Sequence, residues 1–156
     1  MKTFDRAFCE ELFSRLESLP EDAKPKWGGM NRGQLIAHFA NTLRYTLGEG
    51  PEMPFKGNLM SRTVFKFLIL NGFRGIPHNI RLPRPAEVPK EQWFQEGPLE
   101  ALREAIDAYL VAEAEHKLAT RIHPFFGPLT AKEWRKLHRQ HFVHHMKQFD
   151  IAMDAD

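Results

Sequence analysis

The distribution of apolar residues predicts a chain built from amphipathic helices. Between Thr3 and Leu19 the apolar side chains recur with a helical period, and Pro20 interrupts the pattern. A second helix is predicted to begin after Asn31, which can cap it in a capping box with Gln34, and to end near Leu47. Both segments present one apolar face, as helices that pack on a common core do.

Three further helices are predicted along the chain. The segment from Leu59 to Asn71 is apolar and nearly free of helix breakers, although it is rich in aromatic and β-branched residues. A fourth helix begins at Pro98, a residue that suits a first helical position, and runs towards Leu118. Thr130 and Glu133 form a capping box for a last helix, from Ala131 to about Met153.

No stretch alternates apolar and polar residues with period two over a useful length, so we predict an all-α fold of the helical-bundle class. The chain length and apolar content favour a single domain over residues 1–156. Between Gly72 and Gly97, prolines and glycines predict a long irregular connection. A connection of that length in a compact domain is often functional.

Charge and cysteine content exclude several classes of protein. The chain has 22 Lys plus Arg against 20 Asp plus Glu, so the basic stretches Arg74–Arg84 and Lys132–Arg139 are weak evidence for nucleic-acid binding. The single cysteine, Cys9, predicts no internal disulfide and is interpreted as a packing residue. The acidic N-terminal region shows no signal peptide, and the most apolar segment, Val64–Leu70, is too short to span a bilayer. We therefore expect a cytoplasmic protein without a membrane partner.

The histidines carry the most specific chemical signal. Four of the eight histidines fall within eight residues of the last helix, namely His138, His141, His144 and His145. His141 and His145 are one turn apart on the side that carries the apolar anchors, and this spacing lets two imidazoles bind one divalent ion. The alternative is a group of surface histidines near a helix end, where the helix dipole favours them.

A third ligand must come from another helix, and His38 on the second helix is the candidate. The helical wheel leaves open whether His38 faces solvent or a polar cleft between helices. His138 and His144 are interpreted as bystanders or as groups that support the ligands, and His138 is the more plausible substitute ligand. Gln148 can hold a ligand or a bound water, or it can be a core amide with its hydrogen bonds satisfied. The remaining histidines, His78, His116 and His123, are interpreted as surface residues.

Several sequence motifs resemble those of the DinB-like superfamily of metalloenzymes, in a subgroup described only as a domain of unknown function. The motifs are WGGM, LIAHFANTL, HPFFGPLTAKEW and HFVHHMKQF, and the resemblance covers nearly the whole chain. It implies a four-helix up-down-down-up bundle in which His38, His141 and His145 bind a divalent metal, often zinc or nickel. The extra segment among the predicted helices would then be either a bundle helix or a connecting element.

The resemblance also suggests a reaction class. Characterised relatives include transferases and isomerases that use a low-molecular-weight thiol, and homodimers are common among them. The leading hypothesis is a metal-dependent thiol S-transferase or hydrolase whose open site is roofed by the segment Pro77–Pro89. The alternative is a non-catalytic metal-binding or stress-response module that acts as a homodimer. The sequence assigns neither a substrate nor a catalytic residue.

Overall fold

The computed structural model describes residues 3–78 and 95–153, and helices dominate this part of the chain. The prediction of an all-α fold is confirmed. The five α-helices are α1 (Arg6–Ser18), α2 (Arg32–Thr46), α3 (Lys66–Leu70), α4 (Leu99–Ala114) and α5 (Ala131–Gln148). A π-helical turn, Ser61–Phe65, leads into α3, and the short strands β1 (Ile122–His123) and β2 (Gly127–Pro128) pair antiparallel before α5.

The predicted helix starts are present as hydrogen-bonded caps. Asn31 and Gln34 form a capping box at the start of α2, with side-chain to backbone distances of 2.9 and 3.0 Å. Thr130 and Glu133 form the same arrangement at the start of α5. These caps satisfy backbone N–H groups that have no partner inside the helix.

The predicted third, fourth and last helices differ from the structure in form or in extent. The predicted segment Leu59–Asn71 is helical over residues 59–70, but its middle, Ser61–Phe65, is a π-helical turn, which agrees with its β-branched and aromatic content. The fourth helix ends at Ala114 instead of near Leu118, and His116 takes a left-handed conformation with φ of 56°. The last helix ends at Gln148 instead of Met153, because Asp150 takes a left-handed conformation with φ of 61°. The backbone N–H of Ile151 then bonds to Met146 O and closes the helix end.

The four longer helices share one hydrophobic core, and α3 joins α5 through a second, smaller one. In the main core α2 packs along α4 and also contacts α5, while α1 packs on α4. The second cluster unites α3, the β1–β2 hairpin and α5, through Ile69, Leu70, Phe126, Leu129, Trp134 and Leu137. Cys9 lies in the main core, as its assignment to packing requires, and burial raises its thiol pKa to about 12.

Other expectations concern parts of the chain that the structure describes only in part. Residues 79–94, which include most of the predicted irregular connection and most of the proposed roof Pro77–Pro89, lie outside the described residues. None of the described helices is both long and apolar enough to cross a membrane.

His138 is a fully buried member of the core. Its ring lies 5.6 Å from that of Trp134 and 5.1 Å from that of Tyr109, centroid to centroid. The Thr46 hydroxyl donates a hydrogen bond to Leu43 O. Its oxygen, Oγ1, therefore accepts a hydrogen bond from the N–H at His138 Nε2, at 3.1 Å. Burial lowers the pKa of His138 to about 3, and the imidazole is therefore neutral in the folded protein.

We expect His138 to contribute to loss of stability in acid. Because its folded pKa lies below its unfolded value, unfolding takes up a proton between about pH 6.5 and pH 3, and stability falls as pH falls. The substitution His138→Gln, which keeps a donor for Thr46, should lower the slope of unfolding free energy against pH by about 1.4 kcal/mol per pH unit. Urea denaturation across this pH range measures the slope.

His116→Asn is the matched control. His116 is exposed and has φ of 56°, a conformation that asparagine tolerates well. The control should keep the wild-type slope. An unchanged slope in His138→Gln would show that His138 is not neutral in the folded state.

Candidate metal centre

Three imidazoles converge at the boundary between α2 and α5. His38 Nε2 lies 3.0 Å from His141 Nε2 and 3.2 Å from His145 Nε2. The two α5 nitrogens are 2.8 Å apart. All three residues are half-buried as whole residues, while their ring nitrogens face one another in the cleft. The helical wheel left two orientations for His38, and the structure places it in the cleft facing α5.

A pair of stacked rings next to these histidines explains the convergence. Phe39 follows His38 and Phe142 follows His141, and the two phenylalanine rings stack with centroids 4.1 Å apart. Both phenylalanines are completely buried. This buried contact joins α2 to α5. It therefore brings His38 and His141, which precede the two phenylalanines, close to each other.

The donor atoms fit a divalent metal ion. Two nitrogens bonded to one ion at about 2.05 Å are separated by roughly 2.9 Å at a right angle and roughly 3.3 Å at the tetrahedral angle. The three observed distances, from 2.8 to 3.2 Å, cover most of this interval. No described carboxylate or cysteine belongs to the group. The chemistry is therefore that of a three-nitrogen site, in which a four-coordinate ion would have one position left for another ligand.

Gln148 fixes the proton position on one of the three rings. Its Oε1 lies 2.7 Å from His145 Nδ1, and since an amide oxygen can only accept, Nδ1 carries the proton. His145 Nε2 is then the atom with the free lone pair, pointing at His38 and His141. This arrangement is the usual way in which proteins orient a metal-binding histidine.

The loop before α2 contacts both the side chain and the backbone of Gln148 and so limits its position. Gly28 has φ of 80°, and a methyl group there would lie 2.7 Å from Gln148 Nε2. The backbone N–H of Lys26 also bonds to Gln148 O at 2.6 Å. The motif WGGM entered the sequence-based predictions only as part of a family resemblance, and the packing of its Gly28 on Gln148 was not predicted. The adjacent glycines were the available signal, since they allow a backbone to approach a side chain closely.

The three imidazoles are neutral at ordinary pH. Burial lowers the pKa of His38 to about 4. Burial, and then the repulsion that a protonated His38 would exert, lower the pKa of His145 to about 3. Burial, and then the charges of His145 and His38, keep the pKa of His141 well below its usual value. Neutral nitrogens are the form that binds a metal, so protons compete weakly at this site.

The other predicted site residues take different positions. His138 uses its Nε2 to bond Thr46, so this nitrogen does not join the three. His144 is half-buried beside His145, with ring centroids 5.2 Å apart, and it also lies against the edge of Trp27. Trp27 stacks on His78 at 4.1 Å, which places His78 in an aromatic contact.

The assignment of His123 to the surface is wrong. Only 8% of His123 is exposed, and its ring stacks on Phe126 at 4.5 Å. Its Nδ1 accepts hydrogen bonds from the backbone N–H groups of Phe125 and Phe126, both at 3.2 Å. His123 therefore stabilises the tight β1–β2 hairpin, which is too short to produce a strand pattern in the sequence.

Comparison with known proteins gives a family without an assigned function. Residues 4–151 match the family described as "Protein of unknown function (DUF1569)". Since the match covers nearly the whole chain, the chain belongs to this family. No curated protein and no solved structure matches the chain significantly.

We expect Gly28→Ala to destabilise the protein through the contact with Gln148. The left-handed backbone costs a residue with a Cβ about 1–2 kcal/mol, and the added methyl group also displaces the amide. Gly29→Ala is the matched control, because a methyl group there meets no atom within 4 Å. Urea denaturation should show a loss of at least about 1 kcal/mol for Gly28→Ala and a smaller change for Gly29→Ala. Equal stability of the two variants would contradict the packing described here.

Proposed function

We propose that this member of the DUF1569 family is a divalent-metal-dependent enzyme whose ion is bound by His38, His141 and His145. The observation that carries the proposal is the convergence of the Nε2 atoms of three neutral imidazoles, one of which is oriented by Gln148. Buried nitrogens facing one another without an ion lose solvation and gain little in exchange. Binding a cation is the simplest use of this arrangement.

Zinc and nickel are the proposed metals. Imidazole nitrogen is a good ligand for both ions, whereas calcium and magnesium prefer oxygen donors. The group contains three nitrogens and no described carboxylate, which favours the first pair. The order of affinities alone does not separate zinc from nickel, so elemental analysis is needed to identify the metal.

We propose a reaction of the transferase or hydrolase type. A divalent ion with an open position acts as a Lewis acid and lowers the pKa of a water or thiol bound to it. The residues of this chain keep the three imidazoles neutral, hold His145 in one tautomer and supply only three of the ligands that a four-coordinate ion needs. Because no described carboxylate joins the group as a general base, a low-molecular-weight thiol is the preferred cosubstrate, since a thiol loses its proton more readily than water does.

The sequence motifs and the helical core also support a proposal about the superfamily and the domain organisation of the chain. We propose that the chain is a single DinB-like domain, because HFVHHMKQF places two of the three histidines and Gln148 on one side of α5. Homodimers are common in that superfamily, and we propose a homodimer here on that analogy alone. A reducing, cytoplasmic location is supported by the single cysteine, which is free and buried.

One observation favours a second function, a non-catalytic metal-binding or stress-response module. A metalloenzyme often places an acid or base beside its ion, and the group of three histidines includes none among the described residues. The two functions differ in whether an added ligand reaches the ion. A thiol that perturbs the visible spectrum of the cobalt-substituted protein would favour the enzyme. A spectrum unaffected by thiols and by azide would favour the module.

We expect the purified, untagged wild type to bind one equivalent of zinc or nickel. The double variant His141→Ala/His145→Ala should lose it, since one remaining imidazole cannot retain the ion. Elemental analysis measures the metal content. The control His116→Asn removes an exposed histidine and should keep full occupancy. Equal metal content in the wild type and the double variant, or a wild type that takes up neither metal, would refute the site.

We also expect metal affinity to be nearly independent of pH over the mildly acidic range. Three ordinary histidines would lose affinity roughly a thousandfold between about pH 7.5 and about pH 5.5, as each takes up a proton. Here the pKa values near 4 for His38 and near 3 for His145 keep the ligands neutral in this range. Competition titration with a chromophoric chelator should therefore show less than about a fivefold change. A loss near a thousandfold would show that the imidazoles are solvated.

A further inference from the structure

Most of the exposed large apolar side chains belong to one segment. In the part of the chain that the structure describes, eight such residues are exposed, and seven of them fall within residues 55–73. We call these seven the apolar ridge: Phe55, Leu59, Met60, Val64, Phe65, Phe67 and Phe73. Exposure reaches 79% for Leu59, 71% for Phe73 and 59% for Phe67. Exposed large apolar side chains concentrated in one segment in this way usually mark an interaction surface.

The ridge is anchored to the body of the protein, which leaves its apolar face outward. Ile69 and Leu70 are buried in the second core cluster. The α3 helix is further tied to α5 by an ion pair of 3.1 Å between Lys66 and Glu133. Phe67 and Phe73 stack on each other at 5.8 Å on the exposed side. The segment is therefore fixed to the body of the protein while the rings of Phe67 and Phe73 remain in solvent.

The charged residues within the segment that carries the ridge are all positive, although Glu133 of α5 pairs with one of them, Lys66. Residues 53–78 contain four cations, Lys56, Arg62, Lys66 and Arg74, and no acidic residue. Arg62 lies over the Phe55 ring and Arg74 over the Phe65 ring, at 5.5 and 5.6 Å from the ring centroids. Within the described ranges neither guanidinium is in an ion pair. Cations and protruding aromatic groups are therefore combined on one surface.

Positive charge continues on the neighbouring helix. Lys132, Arg135, Lys136 and Arg139 of α5 line a cavity of about 210 Å³ that Leu70 of α3 borders. Glu113 pairs with Arg135 at 3.1 Å, and Lys136 bonds the Asn71 side chain at 2.7 Å. These four residues belong to the basic stretch Lys132–Arg139, whose composition is only weak evidence for nucleic-acid binding.

We propose that the apolar ridge docks on an anionic lipid surface. Aromatic and aliphatic groups beside Arg and Lys are the composition of segments that lie in the membrane interface, where they contact both acyl chains and acidic headgroups. A second copy of the chain fits the ridge less well, because a two-fold contact would bring its cations together. A protein partner would need a surface that matches these side chains in shape, whereas a fluid lipid surface adapts to them.

This proposal is independent of the metal centre. It concerns contact with a membrane surface and no crossing of it. The sequence-based expectation of no membrane partner concerned spanning and signal segments, which are a different interaction from surface docking.

The test is flotation of the full chain with vesicles of phosphatidylcholine, with and without phosphatidylserine. We expect binding only to vesicles with phosphatidylserine, and weaker binding at high salt. Leu59→Ser/Phe67→Ser/Phe73→Ser should lower the partition coefficient by more than about tenfold. Arg62→Gln/Arg74→Gln should lower it by about fivefold per arginine. Val111→Ser, which changes the exposed apolar residue on α4, should have no effect.

Several results would overturn the proposal. These are absence of binding to phosphatidylserine vesicles, equal binding to neutral vesicles, or an equal loss with Val111→Ser. Light scattering that shows a wild-type dimer and a monomeric Leu59→Ser/Phe67→Ser/Phe73→Ser variant would identify a second copy as the occupant instead. Circular dichroism checks that each variant is folded. If the serine variant does not fold, the arginine variant decides alone, because its two positions carry no buried side chain.

Discussion

The stacking of Phe39 on Phe142 is the contact on which the candidate site depends. It joins α2 to α5 inside the main core, and the residues that precede the two phenylalanines are His38 and His141. Replacing either phenylalanine by alanine would cost on the order of 3–5 kcal/mol of folding stability. The energy of the apolar core therefore sets the distance between two ligands that come from helices far apart in sequence.

The convergence of three imidazoles is itself a cost to the folded protein. Each ring is kept neutral by burial, and its Nε2 atom faces two others, where solvation is incomplete. The surrounding structure maintains this arrangement through Gln148, which packs against the backbone of Gly28. Incomplete solvation of this kind is typical of functional sites, where a ligand compensates for it.

Different physical signals allowed different parts of the protein to be predicted. The caps at Asn31 and Thr130 were correct, because they depend on residues three positions apart. The ends of α4 and α5 were predicted too late, because His116 and Asp150 each adopt a positive φ just beyond the helix. The extent of the third helix was predicted, but the π-helical turn within it was not. The burial of His123 was missed because two-residue strands leave no periodic pattern.

The sequence by itself determined the helical class, the helix starts and the i, i+4 pair His141 and His145, because each follows from residues within one or two turns of each other. Only the tertiary structure decided that His38 faces this pair and that Gln148 orients His145 with support from the loop at Gly28. It also decided that His138 belongs to the core. The reason is that helical periodicity gives the face of a residue relative to its own helix, whereas the partner of that face is chosen by packing between helices.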